Sequence, residues 1–90
     1  MPMADKRVLV TGASRGIGRA IAIRLAQDGW QVALHYAFDE SEAEKTKQTL
    51  GRKCVGVYQA DLSQVSVAAK LFDSVLKDGP VHAVVNNAGV

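Results

Sequence analysis

The sequence contains very little cysteine, and its single Cys54 excludes an internal disulfide and a cysteine-based zinc cluster. An excess of either charge is also missing, since 11 Lys and Arg residues oppose 9 Asp and Glu residues for a formal charge of +2. The basic residues are scattered, so no stripe of positive charge is available to follow a nucleic-acid backbone. We therefore expect no disulfide framework and no nucleic-acid partner.

Long hydrophobic runs are absent as well. No apolar run approaches the roughly 18 residues that span a bilayer, and residues 1–7 contain no apolar segment typical of a signal peptide. These features favour a cytoplasmic protein without a membrane partner. With 48% hydrophobic residues, the composition is that of a folded protein, and 90 residues allow at most one small domain.

Short β-branched runs alternate with longer segments of helical periodicity, which predicts the order βαβαβαβ. The predicted strands are residues 7–11, 30–36, 54–59 and 81–86. Parallel strands joined by helices cross over with one hand, so the helices cover both faces of a single sheet. We predict an α/β fold, the N-terminal half of a doubly wound parallel sheet with strand order 3-2-1-4.

Local signals predict the ends of the helices. Asp28-Gly29 is predicted to end the first helix, because glycine accepts a left-handed conformation. Ser41 and Glu44 form a capping-box pattern for the second helix, and Ser63 is predicted to cap the third. The charged residues of the second helix predict a solvated face with weak local ion pairs: Glu42, Glu44, Lys45 and Lys47.

The segment Thr11-Gly12-Ala13-Ser14-Arg15-Gly16-Ile17-Gly18 lies between the first predicted strand and the first helix. Gly12 permits a tight turn, Gly16 lets a pyrophosphate approach backbone N–H groups, and Gly18 lets the helix pack closely. The N-terminus of the helix adds a favourable position for an anion. The competing interpretation is a tight turn whose glycines serve packing alone, but Thr, Ser and Arg beside three glycines favour a phosphate site.

These residues resemble the classical short-chain dehydrogenases/reductases, whose glycine motif is Thr-Gly-x-x-x-Gly-x-Gly. Two more motifs stand where the family has them, Asp61-Leu62 after the third strand and Asn86-Asn87-Ala88-Gly89 after the fourth. The resemblance covers all 90 residues and implies a partial NAD(P)-binding Rossmann domain over residues 1–90, without the catalytic half. Residues 13–22 are most similar to the 3-oxoacyl-(acyl carrier protein) reductases of bacteria.

The resemblance implies a set of cofactor-binding residues. It places Gly12, Ser14, Arg15, Gly16, Ile17 and Gly18 around the phosphates, Asp61 and Leu62 at the adenine ring, and Asn87, Ala88 and Gly89 beside the riboses. The competing interpretation of Asp61 is an N-terminal helix cap shared with Ser63. That of Asn86 and Asn87 is a pair of turn amides that hold neighbouring strands, a role that is compatible with cofactor contact.

The end of the second strand bears on the choice between NAD and NADP. NAD sites usually place an acid on the ribose 2′-hydroxyl, whereas NADP sites need a cation for the 2′-phosphate. The strand ends in His35-Tyr36-Ala37 without an acid, Asp39 lies beyond the usual position, and Arg15 directly precedes Gly16. NADP(H) is therefore favoured over NAD(H), with a neutral surface role for Arg15 as the alternative.

The resemblance also implies catalytic residues that this sequence does not contain. The family uses a serine together with a Tyr-x-x-x-Lys pattern, but Tyr36 is followed four residues later by Glu40, and Tyr58 by Leu62. No catalytic residue is therefore assigned, and these 90 residues alone are expected to be inactive.

Metal ligands and base-stacking residues are scarce. His35, His82 and Cys54 are too few and too separated for a metal site and are interpreted as buried strand residues. Phe38 is interpreted as a packing residue rather than a base-stacking platform. We therefore predict no metal ion.

The resemblance implies the cofactor-binding half of an NADPH-dependent carbonyl reductase, with a 3-oxoacyl thioester as substrate, as in fatty acid biosynthesis. The implied partners are the dinucleotide and a small-molecule or carrier-bound carbonyl compound. A homo-oligomer or a complementary chain is expected to cover the exposed fourth strand. The alternative is a catalytically silent dinucleotide-binding or assembly module. A sugar-nucleotide epimerase fits less well, because three residues separate the first two glycines.

Overall fold

The computed structural model describes residues 6–87. Within them, strands and helices alternate in this order: β1 (Arg7–Val10), α1 (Gly16–Gln27), β2 (Gln31–Tyr36), α2 (Glu40–Leu50), β3 (Cys54–Gln59), α3 (Val65–Asp78) and β4 (Ala83–Val85). A short 3-10 turn over Gly51–Lys53 joins α2 to β3. The predicted alternation of strands and helices is confirmed.

The strands form one parallel sheet in the order β3-β2-β1-β4, which confirms the predicted order 3-2-1-4. In the centre, Leu9 of β1 pairs with Ala33 of β2 on one side and with Val84 of β4 on the other. Successive connections lead away from β1 in opposite directions, so a crevice opens beyond the carboxyl ends of β1 and β4. The loop after β1 lies at this crevice.

Both faces of the sheet are covered by helices, because alternate strand residues point to opposite sides. One face is packed under α1 and α2 by Val8, Val10, Val32, Leu34, Ala22 and Leu50. The other face is packed under α3 by Leu9, Ala33, Ala60, Leu71 and Val75. The doubly wound arrangement is thus confirmed. Among residues 6–87, no helix is long and apolar enough to cross a membrane.

The predicted capping box at the start of α2 is wrong. α2 begins directly after Asp39, whose carboxylate accepts the backbone N–H of Glu42 at 3.1 Å. Asp39 precedes Ser41 and is an equally good capping acceptor, so the helix starts before Ser41 can take that role. The Ser41 hydroxyl donates to the Asp39 carboxylate instead, at 3.2 Å.

The start of α3 also differs from the prediction. α3 begins at Val65, and the preceding Gln64 makes no side-chain capping bond. Ser63 does not cap the helix, because Gln64 and not Ser63 directly precedes its first residue. Ser63 lies instead in a turn before the helix, where its backbone N–H donates to the Asp61 carboxylate at 3.0 Å.

The fourth strand is shorter than predicted and spans three residues rather than 81–86. His82 lies just before it and is exposed, so the expectation of a buried strand residue is wrong. The Nδ1 atom of His82 accepts the backbone N–H of Arg7 at 3.0 Å, so the imidazole occupies a place that a strand carbonyl would otherwise take. Within residues 6–87, β4 pairs with β1 alone.

Candidate functional site

The glycine loop, residues 11–18, leaves β1 at the crevice and leads into α1. Gly12 and Gly16 have φ values of 64° and 62°, which L-amino acids with side chains avoid. A Cβ atom at Gly16 would meet nothing within 4 Å, so this side of the loop is open. The N–H groups of Gly16, Ile17 and Gly18 begin α1 and have no partner within the helix, which makes this end suitable for an anion.

Gly18 is the point where α1 touches the loop. A Cβ atom there would lie 1.9 Å from the carbonyl oxygen of Gly12 and 2.7 Å from Nδ2 of Asn87. Real Cβ atoms do not approach other atoms so closely, so only glycine fits without a shift. The predicted close packing is confirmed, with the Gly12 carbonyl as the neighbour.

Thr11 and Asn87 tie the end of β1 to the end of β4. The backbone N–H of Asn87 donates to the Thr11 hydroxyl at 2.9 Å, and Asn87 Nδ2 donates to the Gly12 carbonyl at 3.2 Å. Asn86 is exposed, with its amide oxygen 3.4 Å from the Thr11 hydroxyl. Asn87 therefore has the strand-holding role considered above. The predicted ribose neighbours Ala88 and Gly89 lie outside the described residues.

His35 joins the glycine loop to the end of β3. Its side chain is buried, its Nδ1 accepts the backbone N–H of Gly12 at 3.0 Å, and its Nε2 lies 2.8 Å from the carbonyl oxygen of Ala60. Burial lowers the pKa of His35 below its ordinary value, against a smaller raising effect of the Ala60 bond. The prediction of a buried strand residue is confirmed for His35. Its contacts were not predicted, and a histidine directly after the apolar residues 32–34 was the only signal for them.

A second set of contacts, which the sequence did not reveal, ties α2 to the glycine loop. Arg19 of α1 donates to the Glu42 carboxylate and to the Thr46 hydroxyl, each at 2.8 Å, and also to the carbonyl of Ser14. Thr46 is fully buried, and its hydroxyl lies 3.1 Å from the same Ser14 carbonyl. Hydrogen bonds from Lys45 and Arg19 lower the pKa of Glu42. The predicted local ion pair is present between Glu42 and Lys45 at 2.9 Å. The predicted solvated face is wrong for Glu42, because Arg19 reaches its carboxylate from α1.

A cleft of about 460 Å³ opens between the glycine loop and the end of β2, within the usual size range of small-molecule sites. The glycine loop contributes Gly12, Ser14, Arg15 and Gly16 to the cleft. The end of β2, which here includes the residues directly after the strand, contributes His35, Ala37, Phe38 and Asp39. The interpretation of Phe38 as a packing residue is wrong, since its side chain is 77% exposed. The connection between β2 and α2 carries Phe38 away from the core and into the wall of the cleft.

Arg15 and Asp39 set the charge of the cleft. Their side chains are 74% and 38% exposed, and Nη1 of Arg15 lies 3.8 Å from Oδ2 of Asp39. An exposed ion pair of this length contributes little to stability, so Arg15 can turn towards a ligand at small cost. The sequence placed Asp39 beyond the usual position of an acid, but the structure brings it into the same cleft as Arg15.

The structure does not bring Asp61 and Leu62 to the walls of this cleft. Hydrogen bonds from Ser63 lower the pKa of Asp61, whose carboxylate forms a turn before α3. The helix-cap alternative for Asp61 is wrong, since α3 begins only at Val65. Leu62 packs against the apolar cluster under α3. Within residues 6–87, no group of three His, Cys, Asp or Glu residues is arranged to hold a metal ion.

Comparison with known proteins adds to this geometry. The model of the short chain dehydrogenase family matches residues 6–90. A "short-chain type dehydrogenase/reductase" of Picea abies is 39% identical and matches 98% of this chain and 36% of its own length. A 3-oxoacyl-(acyl-carrier-protein) reductase of Staphylococcus epidermidis is also 39% identical and matches 96% of this chain and 36% of its own.

A solved structure shows the same fold. It is a promiscuous reductase described as catalysing keto-reduction at C1 during lugdunomycin biosynthesis, and it is 37% identical with a TM-score of 0.82. The match covers 100% of this chain and 39% of that one. The chain thus spans little more than a third of the length of the relatives it matches.

Proposed function

This chain belongs to the short-chain dehydrogenase family, and we propose that it forms the cofactor-binding part of an NADP(H)-dependent carbonyl reductase. The cleft that joins the glycine loop to the end of β2 carries the proposal. It combines an open approach at Gly16, the N–H groups at the start of α1 that have no partner within the helix, and the cationic side chain of Arg15. A dinucleotide presents phosphate groups that match these features.

The backbone around Gly16 is the proposed site of the pyrophosphate. An anion there can accept hydrogen bonds from the first N–H groups of α1 and gains from the positive end of the helix dipole. The loop is held in place before any ligand arrives, because Gly12 is bonded to His35 and Ser14 to Arg19. Such preorganisation lowers the entropic cost of binding.

Arg15 is the proposed partner of the 2′-phosphate, which distinguishes NADP from NAD. Its side chain is mostly exposed and only weakly paired, and the end of β2 at Tyr36 and Ala37 offers no acid to a ribose hydroxyl. Asp39 works against a phosphate in this cleft, so the preference depends on the balance of the two charges. A relative from Arabidopsis thaliana, 38% identical over 98% of this chain, is named an NADPH-dependent aldehyde reductase.

The remaining cofactor contacts belong to the same proposal. Asp61 and Leu62 are assigned to the adenine ring, and Asn87, Ala88 and Gly89 to the riboses. The proposed substrate is a 3-oxoacyl thioester whose keto group accepts hydride, a choice supported by the name of the Staphylococcus epidermidis relative. The hydride comes from the reduced nicotinamide, and this chain contributes the positioning of the dinucleotide through its glycine loop.

Equilibrium binding of NADPH and NADH to the intact native protein and to an Arg15→Gln variant tests the cofactor assignment. We expect the variant to bind NADPH about tenfold more weakly, because a charge-assisted hydrogen bond is lost, and to bind NADH unchanged. Arg24→Gln is a matched control, since Arg24 lies on α1 with an equally exposed side chain and pairs with Asp28. Equal loss of both dinucleotides in Arg15→Gln, or no loss of either, contradicts the assignment.

The reductase activity has a separate test. NADPH oxidation by the intact native protein is measured with an acetoacetyl thioester and with simple ketones and aldehydes. Turnover of the thioester supports the proposed substrate, while turnover of other carbonyl compounds alone overturns it. Tight NADPH binding without any turnover contradicts the reductase and leaves the dinucleotide-binding module.

A further inference from the structure

His35 is a buried histidine that none of the proposed cofactor contacts uses. Its side chain is 1% exposed. Its ring lies 3.0 Å from the backbone N of Gly12 through Nδ1, and 2.8 Å from the carbonyl oxygen of Ala60 through Nε2. Its own backbone carbonyl accepts the N–H of Ala13 at 2.9 Å. One residue of β2 therefore holds two consecutive residues of the glycine loop and the end of β3.

The two ring contacts fix the protonation state of His35. The carbonyl oxygen of Ala60 can only accept, so the ring hydrogen must sit on Nε2. The backbone N–H of Gly12 can only donate, so Nδ1 must carry a free lone pair. Only the neutral ring with its hydrogen on Nε2 satisfies both partners. A protonated ring would turn an N–H group towards the N–H of Gly12, and that hydrogen bond would be lost.

Gly12 also contacts other residues of the site. Its carbonyl oxygen accepts from Asn87 Nδ2 and lies directly against Gly18 at the start of α1. Gly12 and His35 also line the same cleft. Displacement of Gly12 therefore disturbs both the loop and the first turn of α1, where the phosphate groups are proposed to bind.

We propose that His35 is a positioning residue for the glycine loop. The neutral ring of His35 holds Gly12 and the protonated ring releases it, so that dinucleotide binding weakens at acid pH. This inference rests on the proposed function, because it takes the glycine loop to be the phosphate site. The bond from Nδ1 to Gly12 is the contact that carries the effect, and the bond to Ala60 orients the ring.

The direction of the pH effect follows from the environment of the ring. Burial lowers the pKa of His35 from 6.5, so the neutral form is fully present above about pH 6.5 and is lost as the pH falls through the lowered value. The titratable side chains on the segments around it are Arg15, Asp39, Tyr58, Asp61 and Lys70. Within the described part of the chain, none of these charges contributes to the shift of the pKa, which burial lowers against a smaller raising effect of the Ala60 bond.

Two variants separate the two ring contacts. His35→Asn keeps an acceptor at the position of Nδ1 and has no proton to gain, so it is expected to bind the dinucleotide with a flatter pH profile. His35→Gln keeps a donor near the position of Nε2 but removes the acceptor for Gly12, so it is expected to bind weakly at every pH. Each is measured in the intact native protein by equilibrium titration with NADPH and NADH between pH 4.5 and about pH 8.

The unchanged protein is expected to lose affinity by about tenfold per pH unit below the pKa of His35. A 2′-phosphate also titrates near pH 6, so the unchanged protein is compared with His35→Asn at each pH and with NADH, which lacks that group. Identical pH profiles for these two proteins, or full affinity of His35→Gln at pH 8, overturn the inference. Absence of dinucleotide binding by the unchanged protein at pH 8 refutes the proposed function and the inference together.

A measurement on the unchanged protein is independent of how well the variants fold. Nitrogen-15 NMR reports which ring nitrogen of His35 carries the hydrogen and follows the Gly12 amide signal as the pH falls. We expect hydrogen on Nε2 at neutral pH and a shift of the Gly12 amide that has the same midpoint as the ring. A Gly12 signal that does not follow the ring, or hydrogen on Nδ1, overturns the positioning role even if the dinucleotide binds.

Discussion

Replacement of Gly18 by alanine sets two physical effects against each other. Alanine in a helix interior is more favourable than glycine by about 1 kcal/mol, so helix propensity alone predicts a more stable protein. The structure predicts the opposite, because the new Cβ would lie 1.9 Å from the Gly12 carbonyl oxygen and 2.7 Å from Asn87 Nδ2. The nearest obstacle is a backbone carbonyl, which cannot rotate aside as a flexible side chain would.

The steric cost exceeds the gain in propensity. Overpacking costs about 1 to 3 kcal/mol, and displacement of Gly12 also weakens its hydrogen bond with Asn87, at about 1 kcal/mol. After the gain of about 1 kcal/mol from propensity, we expect Gly18→Ala to lower the free energy of unfolding by about 1 to 3 kcal/mol. Urea denaturation of the intact native protein, followed by circular dichroism, measures this change.

Ala20→Gly is the matched control on the same helix. Ala20 is exposed, so this change tests helix propensity without a steric conflict and should cost about 1 kcal/mol. The structure predicts that both variants are less stable, although their changes in propensity have opposite signs. A Gly18→Ala variant as stable as the unchanged protein, or more stable, refutes the close contact between α1 and the glycine loop.

Further predictions concern single charges and hydrogen bonds. Asp39→Asn keeps a good helix cap for α2 but removes a negative charge from the cleft. In equilibrium titrations, NADPH affinity should therefore rise by about three- to tenfold while NADH affinity stays constant. No change in NADPH affinity contradicts this placement of the 2′-phosphate. Glu42→Gln should destabilise the protein near neutral pH, because Lys45 and Arg19 lower the pKa of Glu42 from 4.5 in the folded state. The stability that this carboxylate contributes is present above about pH 4.5 and is lost as the pH falls. The unfolding midpoints of Glu42→Gln and the unchanged protein should therefore converge in acid. A constant difference between them from about pH 7 to about pH 3 argues against the ion pairs. Burial, together with the hydrogen bond to Asp78, raises the pKa of Tyr58 to about 12, and ultraviolet difference titration against Tyr58→Phe should show this midpoint rather than one near 10.

The sheet and its order are predictable from the sequence for physical reasons. β3 has the predicted bounds, 54–59, because Val55, Val57 and Tyr58 favour a strand. The order of the strands is the usual one of doubly wound folds, and the helices on both faces follow from the handedness of the crossovers. Neither inference depends on which particular side chains meet.

Helix starts are less predictable, because neighbouring polar residues compete for the same backbone N–H groups. Asp39 lies two positions before Ser41 and caps α2 in its place, and both residues are good caps when judged from sequence alone. At α3, the Asp61 carboxylate binds the backbone N–H of Ser63 in a turn, and the helix begins only at Val65. Such competition is decided by local backbone geometry, which the sequence pattern does not contain.

The supports of the site are the least predictable part. His35 reaches Gly12 across 23 positions of sequence, and Arg19 reaches Thr46 across 27. Hydrogen bonds between such distant residues depend on strand register and on the angle between helices. The glycine pattern therefore predicts a phosphate site, whereas the structure reveals which side chains hold the backbone of the glycine loop in place.

Hydrogen–deuterium exchange of the intact native protein, measured with and without NADPH, tests the claim that the glycine loop and the end of β2 together form the dinucleotide site. We predict that NADPH slows exchange at residues 12–18 and at residues 37–39, because these segments line the cleft and gain bonds to the ligand. NADPH binding that leaves both segments unchanged, or protects other parts of the chain instead, would contradict the claim.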